Sequence, residues 1–334
     1  MAKKPRLRTA GVIGGGAWGT ALAQTLRFAG LDVMLWARDP DVVAGINRRH
    51  RNDKRLPSID LDPQLRATND LADAAGGKDL LLLAVPSREV PAVGLALRPH
   101  LHEGQELIIC AKGFIPGERL VLTGAVLDAC GVLASVLSGP SFADEVARGL
   151  PAAVTLAAFT LKQADRLGRA VGHKHFRLYY SEDLGGVQIG GAVKNVLAIA
   201  AGILVGRRLG ASAHAALVTR GFSELCRLGR YSRRIRPETL NGLSCLGDLI
   251  LTCSSPRSRN FSFGRHLGEG RTVTEALRLT GTVEGASTAE LLTDWAREIK
   301  VDMPISAAVQ RVVSGAIGVD QAIDELLERP HKAE

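Results

Sequence analysis

The chain has 334 residues, 46% of them hydrophobic and 23% charged, with a formal net charge of +8. That apolar share excludes a disordered chain, and the 37 glycines follow no collagen-like period. The length points to two domains, because a single hydrophobic core stops growing near about 250–300 residues, and with aromatics at 4% the cores must be built from Ala, Val, Leu and Ile.

Residues 1–8 (MAKKPRLR) are basic but run straight into a Gly-rich turn, without the apolar segment of a cleaved leader. Thr9–Gly14 predicts a strand, Ala17–Ala29 a helix stopped by Gly30, and Asp32–Ala37 a second strand. Asp39 followed by Pro40 reads as the N-cap and first position of the next helix. The uninterrupted apolar runs Lys78–Val85, Gln105–Ala111 and Val132–Ser138 predict strands buried on both faces. Strands separated by helical segments imply βαβ units and a doubly wound, mostly parallel sheet. Beyond about residue 182 the strand-like runs cease. Segments 183–205, 211–229, 237–252, 272–279, 284–299 and 303–314 carry helical spacing with Gly or Pro at the breaks. The expected organisation is therefore an α/β Rossmann domain over 1–182 and an all-α domain over 183–334, with a frayed tail after Pro330.

The stretch Val187–Val205 reaches membrane-spanning length, but it contains Lys194 and reads as the buried helix of a soluble protein without membrane insertion. Cys110, Cys130, Cys226, Cys245 and Cys253 are odd in number and lack CxxC or other metal-ligand spacing. They argue against a disulfide framework and a metal site and for a reducing, cytoplasmic setting. Arginines cluster at 47–55 (NRRHRNDKR) and 230–236 (RYSRRIR), while acidic residues punctuate the rest of the chain. These runs read as a solvated, anion-friendly surface, with no nucleic-acid partner.

Three groups of residues carry chemistry. Gly14-Gly15-Gly16-Ala17-Trp18-Gly19 is a GxGxxG that follows a strand and opens a helix. Gly14, Gly16 and Gly19 there allow a tight turn, close approach of a pyrophosphate and close helix–strand packing, while the helix N-terminus offers free N–H groups. Where an acid would accept the ribose 2′-hydroxyl of NAD, the run Leu35-Trp36-Ala37-Arg38-Asp39 places Arg38, which favours NADP over NAD. Second, Lys194 is the one ionisable residue in Gly185–Val205, with Gly190 and Gly191 one turn before it leaving room for a ligand. Burial lowers a lysine pKa and fits the amine for general acid/base work, with Asp248 in the apolar segment 242–249 as its charge partner. Third, Ser258-Arg259-Asn260 sets a hydroxyl, a guanidinium and an amide in succession, suited to a phosphate monoester. Taken alone, that trio reads as a polar turn rather than a phosphate site.

Through these residues the chain resembles the bacterial-type NAD(P)-dependent glycerol-3-phosphate dehydrogenases from Val12 to about Leu327. The resemblance is carried by GGGAWGTALA (14–23), AVPS (84–87), AKG (111–113), LSGPSFADEVARGLPAAVT (137–155), IGGAVKNVLAIAAGI (189–203), LVTRG (217–221), GDLILTCSSPRSRNFSFG (247–264) and VEG (283–285). It implies a helical second domain like that of 6-phosphogluconate dehydrogenase, which binds substrate and forms a homodimer. It also implies reversible reduction of dihydroxyacetone phosphate to sn-glycerol 3-phosphate by NADPH or NADH, supplying glycerophospholipid synthesis. By the same resemblance Lys194 is the general acid/base and Asp248 the substrate-side carboxylate. Lys112 faces cofactor and substrate, Gly139 and Ser141 contact substrate, and Ser258, Arg259 and Asn260 hold its phosphate. Ala17, Trp18, Arg38 and Ala143 contact the dinucleotide, Arg259 lies near it, and Val283 and Glu284 stand on its nicotinamide side. Three positions depart from the family pattern: Arg55 stands for a common Tyr, Cys245 for a Gly and Thr282 for a Val. A related oxidoreductase of the β-hydroxyacid type would share the GxGxxG and a lysine helix but take a carboxylate substrate; the Ser-Arg-Asn trio favours a phosphate.

Overall fold

A computed structural model describes residues 7–116, 121–231 and 235–330. The basic N-terminus, positions 232–234 of the second arginine run and the tail after Pro330 lie outside the described residues. The chain divides into two compact units, Met1–Lys112 with Val121–Val187, and Gly113–Leu120 with Gln188–Glu334. The division falls inside a helix, a little beyond the change of pattern at residue 182.

The first unit is built on one eight-stranded sheet of β1 (Thr9–Ile13), β2 (Asp32–Trp36), β3 (Arg66–Thr68), β4 (Leu80–Leu83), β5 (Glu106–Ile109), β6 (Ser135–Ser138), β7 (Ala152–Ala157) and β8 (Phe176–Ser181), in the order β3-β2-β1-β4-β5-β6-β7-β8. Every pairing is parallel except β6 with β7. The strands predicted from continuous apolar runs are present, and all four leucines of β4 are buried. Three strands carry no such run. β3 has only three residues, β7 is alanine-rich and pairs antiparallel with β6, and β8 is an edge strand whose Arg177, Tyr179 and Tyr180 are exposed. Helices α1 (Ala17–Phe28), α2 (Pro40–Arg49), α3 (Leu71–Ala75), α4 (Val90–Leu97), α5 (Leu122–Cys130), α6 (Ala143–Ala147) and α7 (Leu161–Val171) complete the unit. Asp39 caps α2 as expected, its side chain accepting from the Asp41 N–H with Pro40 in the first turn. The strand order reverses direction between β1 and β4, so the turn after β1 lies at the switch point where open α/β sheets hold ligands.

Helix α8 (Leu184–Gly206) runs from the first unit into the second, which continues with α9 (Gly210–Tyr231), α10 (Pro237–Leu240), a π-helical turn (Leu243–Gly247), α11 (Asp248–Cys253), α12 (Arg259–Gly268), α13 (Val273–Thr280), α14 (Glu284–Glu298), α15 (Pro304–Val313) and α16 (Val319–Leu327). The single helix predicted over 237–252 is thus three short pieces, and α12 and α16 lie where no helical segment is predicted. α8 is long and apolar enough to cross a bilayer, but 89% of its most apolar window is buried inside the molecule, as a core helix would be.

Glycine sets how closely α12 packs on α8. A Cβ on Gly202 would lie 2.0 Å from the Phe261 carbonyl oxygen, and one on Gly264 2.0 Å from that of Ile199. Gly206 and Gly268 meet one turn further on, where either Cβ would come within 3.0 Å of the other glycine's Cα. A helical glycine costs about 1 kcal/mol against alanine; here alanine does not fit. A second tie is polar. Glu224 on α9 is buried and accepts from the N–H groups of Ile305 (2.6 Å) and Ser306 (3.1 Å) and from the Ser306 hydroxyl (2.8 Å), capping α15 from a neighbouring helix.

Candidate active site

The two units each gather part of the predicted site. In the first, the Gly14 N–H donates to the Trp36 carbonyl (3.0 Å), and Gly14 takes φ +132°, where a Cβ would stand 2.7 Å from the Ala84 oxygen. Gly19 brings α1 so near its own turn that a Cβ would lie 1.8 Å from the Gly14 oxygen. Gly16, the N-cap of α1, has open space on its Cβ side. No side chain caps this helix and no acid stands in its first turn, so its N–H groups and the positive end of its dipole are presented to an anion. The cradle fits a pyrophosphate. Trp18, next to Ala17, is fixed by its indole N–H to the Cys110 carbonyl (3.2 Å).

Arg38 leaves the end of β2 with its side chain 82% exposed and Glu89 at 3.8 Å. On the same C-terminal edge of the sheet, beyond β5 and β6, Lys112 Nζ and Ser141 Oγ both donate to the Gly139 carbonyl, each at 3.1 Å. Gly139 adopts φ +155°, and a Cβ there would meet Val154 Cα at 2.8 Å. Ala143 opens α6 just after. The structure therefore brings Lys112, Gly139 and Ser141 together.

In the second unit Lys194 is 7% exposed and Asp248 1%. The ammonium donates to Asp248 Oδ1 at 2.7 Å and to the Thr252 hydroxyl at 2.8 Å, and the Thr252 hydroxyl lies 3.3 Å from Asp248 Oδ1. Burying two charges is costly unless they are paired and hydrogen-bonded, and both conditions are met here. Lys194 and Asp248 pair as expected, and Thr252 joins them although no motif singles it out. The available signal was its i+4 spacing from Asp248, which puts both on one face of α11. The expectation that Gly190 leaves room for a ligand is corrected: that space belongs to Cys245, whose Sγ would lie 2.0 Å from a Cβ on Gly190.

Ser258-Arg259-Asn260 is the start of α12, not a free turn. The Ser258 hydroxyl accepts from the Phe261 N–H (3.2 Å) as N-cap, and Arg259 is the exposed first residue. Asn260 donates to Asn195 Oδ1 (3.0 Å) and accepts from the Gly285 N–H (2.9 Å). It thus ties the helix start to the residue after Lys194 and to the first turn of α14, where Val283 is the buried N-cap and Glu284 the first residue. Burial pushes the thiol of Cys253 up to about 12 and raises that of Cys110 as well, so neither is a thiolate nucleophile.

Two family models, together spanning nearly the whole chain, match this arrangement. Residues 9–164 match the N-terminal part of NAD-dependent glycerol-3-phosphate dehydrogenase, and residues 183–324 match its C-terminal part. The chain belongs to this family. A glycerol-3-phosphate dehydrogenase [NAD(P)+] of Parvibaculum lavamentivorans is 50% identical over 98% of each chain, and one of Azorhizobium caulinodans is 51% identical over 97% of this chain and 98% of its own. The crystal structure of glycerol-3-phosphate dehydrogenase from Coxiella burnetii superposes with a TM-score of 0.91 at 36% identity, covering 97% of this chain and 99% of that one. The departures from the family pattern leave Lys194, Asp248 and the glycine turn intact. Cys245 packs on Gly190, Thr282 is exposed beside Val283, and Arg55 is exposed on the loop after α2.

Proposed function

We propose that this chain is an oxidoreductase that interconverts dihydroxyacetone phosphate and sn-glycerol 3-phosphate with NAD(P)H, in the cytoplasm, supplying glycerophospholipid synthesis. The observation that carries this reading is the buried Lys194 ammonium held by Asp248 and Thr252, in a chain that matches one dehydrogenase family along its length. Gly14, Gly16, Ala17, Trp18, Gly19 and Arg38 would hold the dinucleotide, joined by Lys112, Ala143, Arg259, Val283 and Glu284. When bound, its nicotinamide supplies or takes the hydride at C2.

Lys194 gives a proton to the C2 oxygen in reduction and takes it back in oxidation, and its positive charge stabilises the oxyanion that develops there. Asp248 and Thr252 hold the amine in one position, so little reorganisation is needed at the moment of reaction. Ser258, Arg259 and Asn260 anchor the phosphate: Arg259 supplies the charge, and Asn260 fixes the helix start that carries it. By the family resemblance Lys112, Gly139 and Ser141 would also contact the substrate. Phosphate anchoring is remote from C2, so its binding energy aligns the carbonyl for attack.

The proposal extends to two separate domains, 1–182 for the dinucleotide and 183–334 for substrate, and to a homodimer formed through the helical half. The test is an NADPH oxidation assay with dihydroxyacetone phosphate beside ketones bearing a carboxylate. Turnover confined to the phosphate ketone is expected, and preference for a carboxylate ketone would refute the substrate. Lys194→Ala should lower kcat about a thousandfold with the circular dichroism spectrum unchanged.

A further inference from the structure

Helix α11 carries both groups that hold the Lys194 ammonium, yet little in its own sequence secures it. It has six residues, lying between a π-helical turn and the loop that leads to α12. A helix so short is not stable by itself, and Ile250 on its outer side is exposed. The last carbonyls of any helix lack an intrahelical partner. In α10, α12 and α14 the backbone N–H of the C-cap returns to one of them. Ser254, the C-cap of α11, stands at φ −108° and returns none among the described residues.

The missing donor comes from another helix. His214, in the second turn of α9, sets its Nε2 2.8 Å from the Cys253 carbonyl oxygen. A carbonyl only accepts, so Nε2 carries the proton and donates. Cys253 is fully buried and directly follows Thr252. Besides its burial, the charges of Lys194 and Asp248 act on its thiol, which places it beside that pair. Helix ends fray, and here the fraying end is the one that bears the second acceptor of the ammonium, the Thr252 hydroxyl at 2.8 Å.

We propose that His214 is a positioning residue for proton transfer at Lys194: by closing the open end of α11 it keeps the Thr252 hydroxyl on the ammonium. This role rests on Lys194 being the acid/base group. The phosphate anchor is held independently, since Asn260 is tied to Asn195 and Gly285 and not to α11, so His214 acts on kcat rather than on KM. Steady-state reduction of dihydroxyacetone phosphate by NADPH with the intact enzyme tests it. His214→Leu should lower kcat about three- to fivefold, the size of one lost neutral hydrogen bond, with the KM for the ketone within about twofold. His214→Gln, whose amide N–H can donate to the same carbonyl, should recover most of that loss. In a Thr252→Val background His214→Leu should add less than about 1.5-fold, because both changes remove the same contact to the ammonium. An unchanged kcat in His214→Leu, a KM that rises as far as kcat falls, a Gln variant as slow as the Leu variant, or effects that multiply in the double variant would overturn the positioning role while leaving Lys194 its chemistry. Full turnover in Lys194→Ala would instead remove that chemistry, and the role of His214 with it.

Discussion

Thr252 shows how much of the Lys194 arrangement lies outside the two charged groups. Its hydroxyl is the second acceptor of the ammonium, 2.8 Å away, and bridges toward Asp248. Thr252→Val keeps the shape and removes one neutral hydrogen bond, a net contribution of about 1 kcal/mol, so kcat should fall about fivefold. An unchanged kcat would show that Asp248 alone positions the amine. Glu224 is a residue of another kind, buried away from the proposed chemistry. Burial pushes its carboxyl up to about 7, against the hydrogen bonds from Ile305 and Ser306 that favour the ionised form. An acid whose pKa is raised on folding stabilises the fold fully below its unfolded value, and loses that contribution as pH rises through the folded one. Stability relative to Glu224→Gln should therefore decline between pH 4.5 and about 7, by on the order of 3 kcal/mol. Denaturant unfolding of both proteins across that range measures it, and parallel curves would refute the shift. Lys194 and Asp248 were legible in the sequence because each is a lone charge in an apolar segment. Glu224 was not, since its surroundings come from α15, some 80 positions away along the chain.

Helices α8 and α12 illustrate what a sequence pattern leaves open at the level of elements. The apolar run of α8 was readable as a buried helix, whereas α12 (RNFSFGRHLG) carries glycines that count against a helix when taken locally. Those glycines are retained because two backbones touch there. Gly264→Ala sets a methyl 2.0 Å from the Ile199 carbonyl, and forcing the helices apart should cost about 2–3 kcal/mol. Thermal unfolding checks this; a melting temperature equal to wild type would mean that α12 can shift freely. The same contrast holds in the sheet. Buried strands announce themselves by uninterrupted apolar runs, but β8 pairs on one edge only and keeps Arg177 and Tyr179 in solvent, so its residues alternate irregularly. The break of 237–252 into α10, a π-helical turn and α11 also follows from packing. Cys245 is seated against Gly190 there, and Asp248 begins the helix that reaches Lys194.

For the whole molecule, the proposed homodimer predicts a particle of twice the chain's mass in light scattering at micromolar concentration, and a single-chain mass would refute it. By itself the sequence determined the fold class, the glycine turn with its cation at position 38, the buried lysine with its acidic companion, and the family. Each depends on residue type and short spacing: a strand, a tight turn and a helix start lie within a few residues of one another, and a lone charge in an apolar run is visible without neighbours. Folding alone reveals that Gly190 yields its space to Cys245, that Asn260 ties α8, α12 and α14 at one point, and that Asn52 returns a basic loop to the glycine turn. Those are contacts between distant parts of the chain, where the partner is set by how helices and loops pack rather than by any local preference.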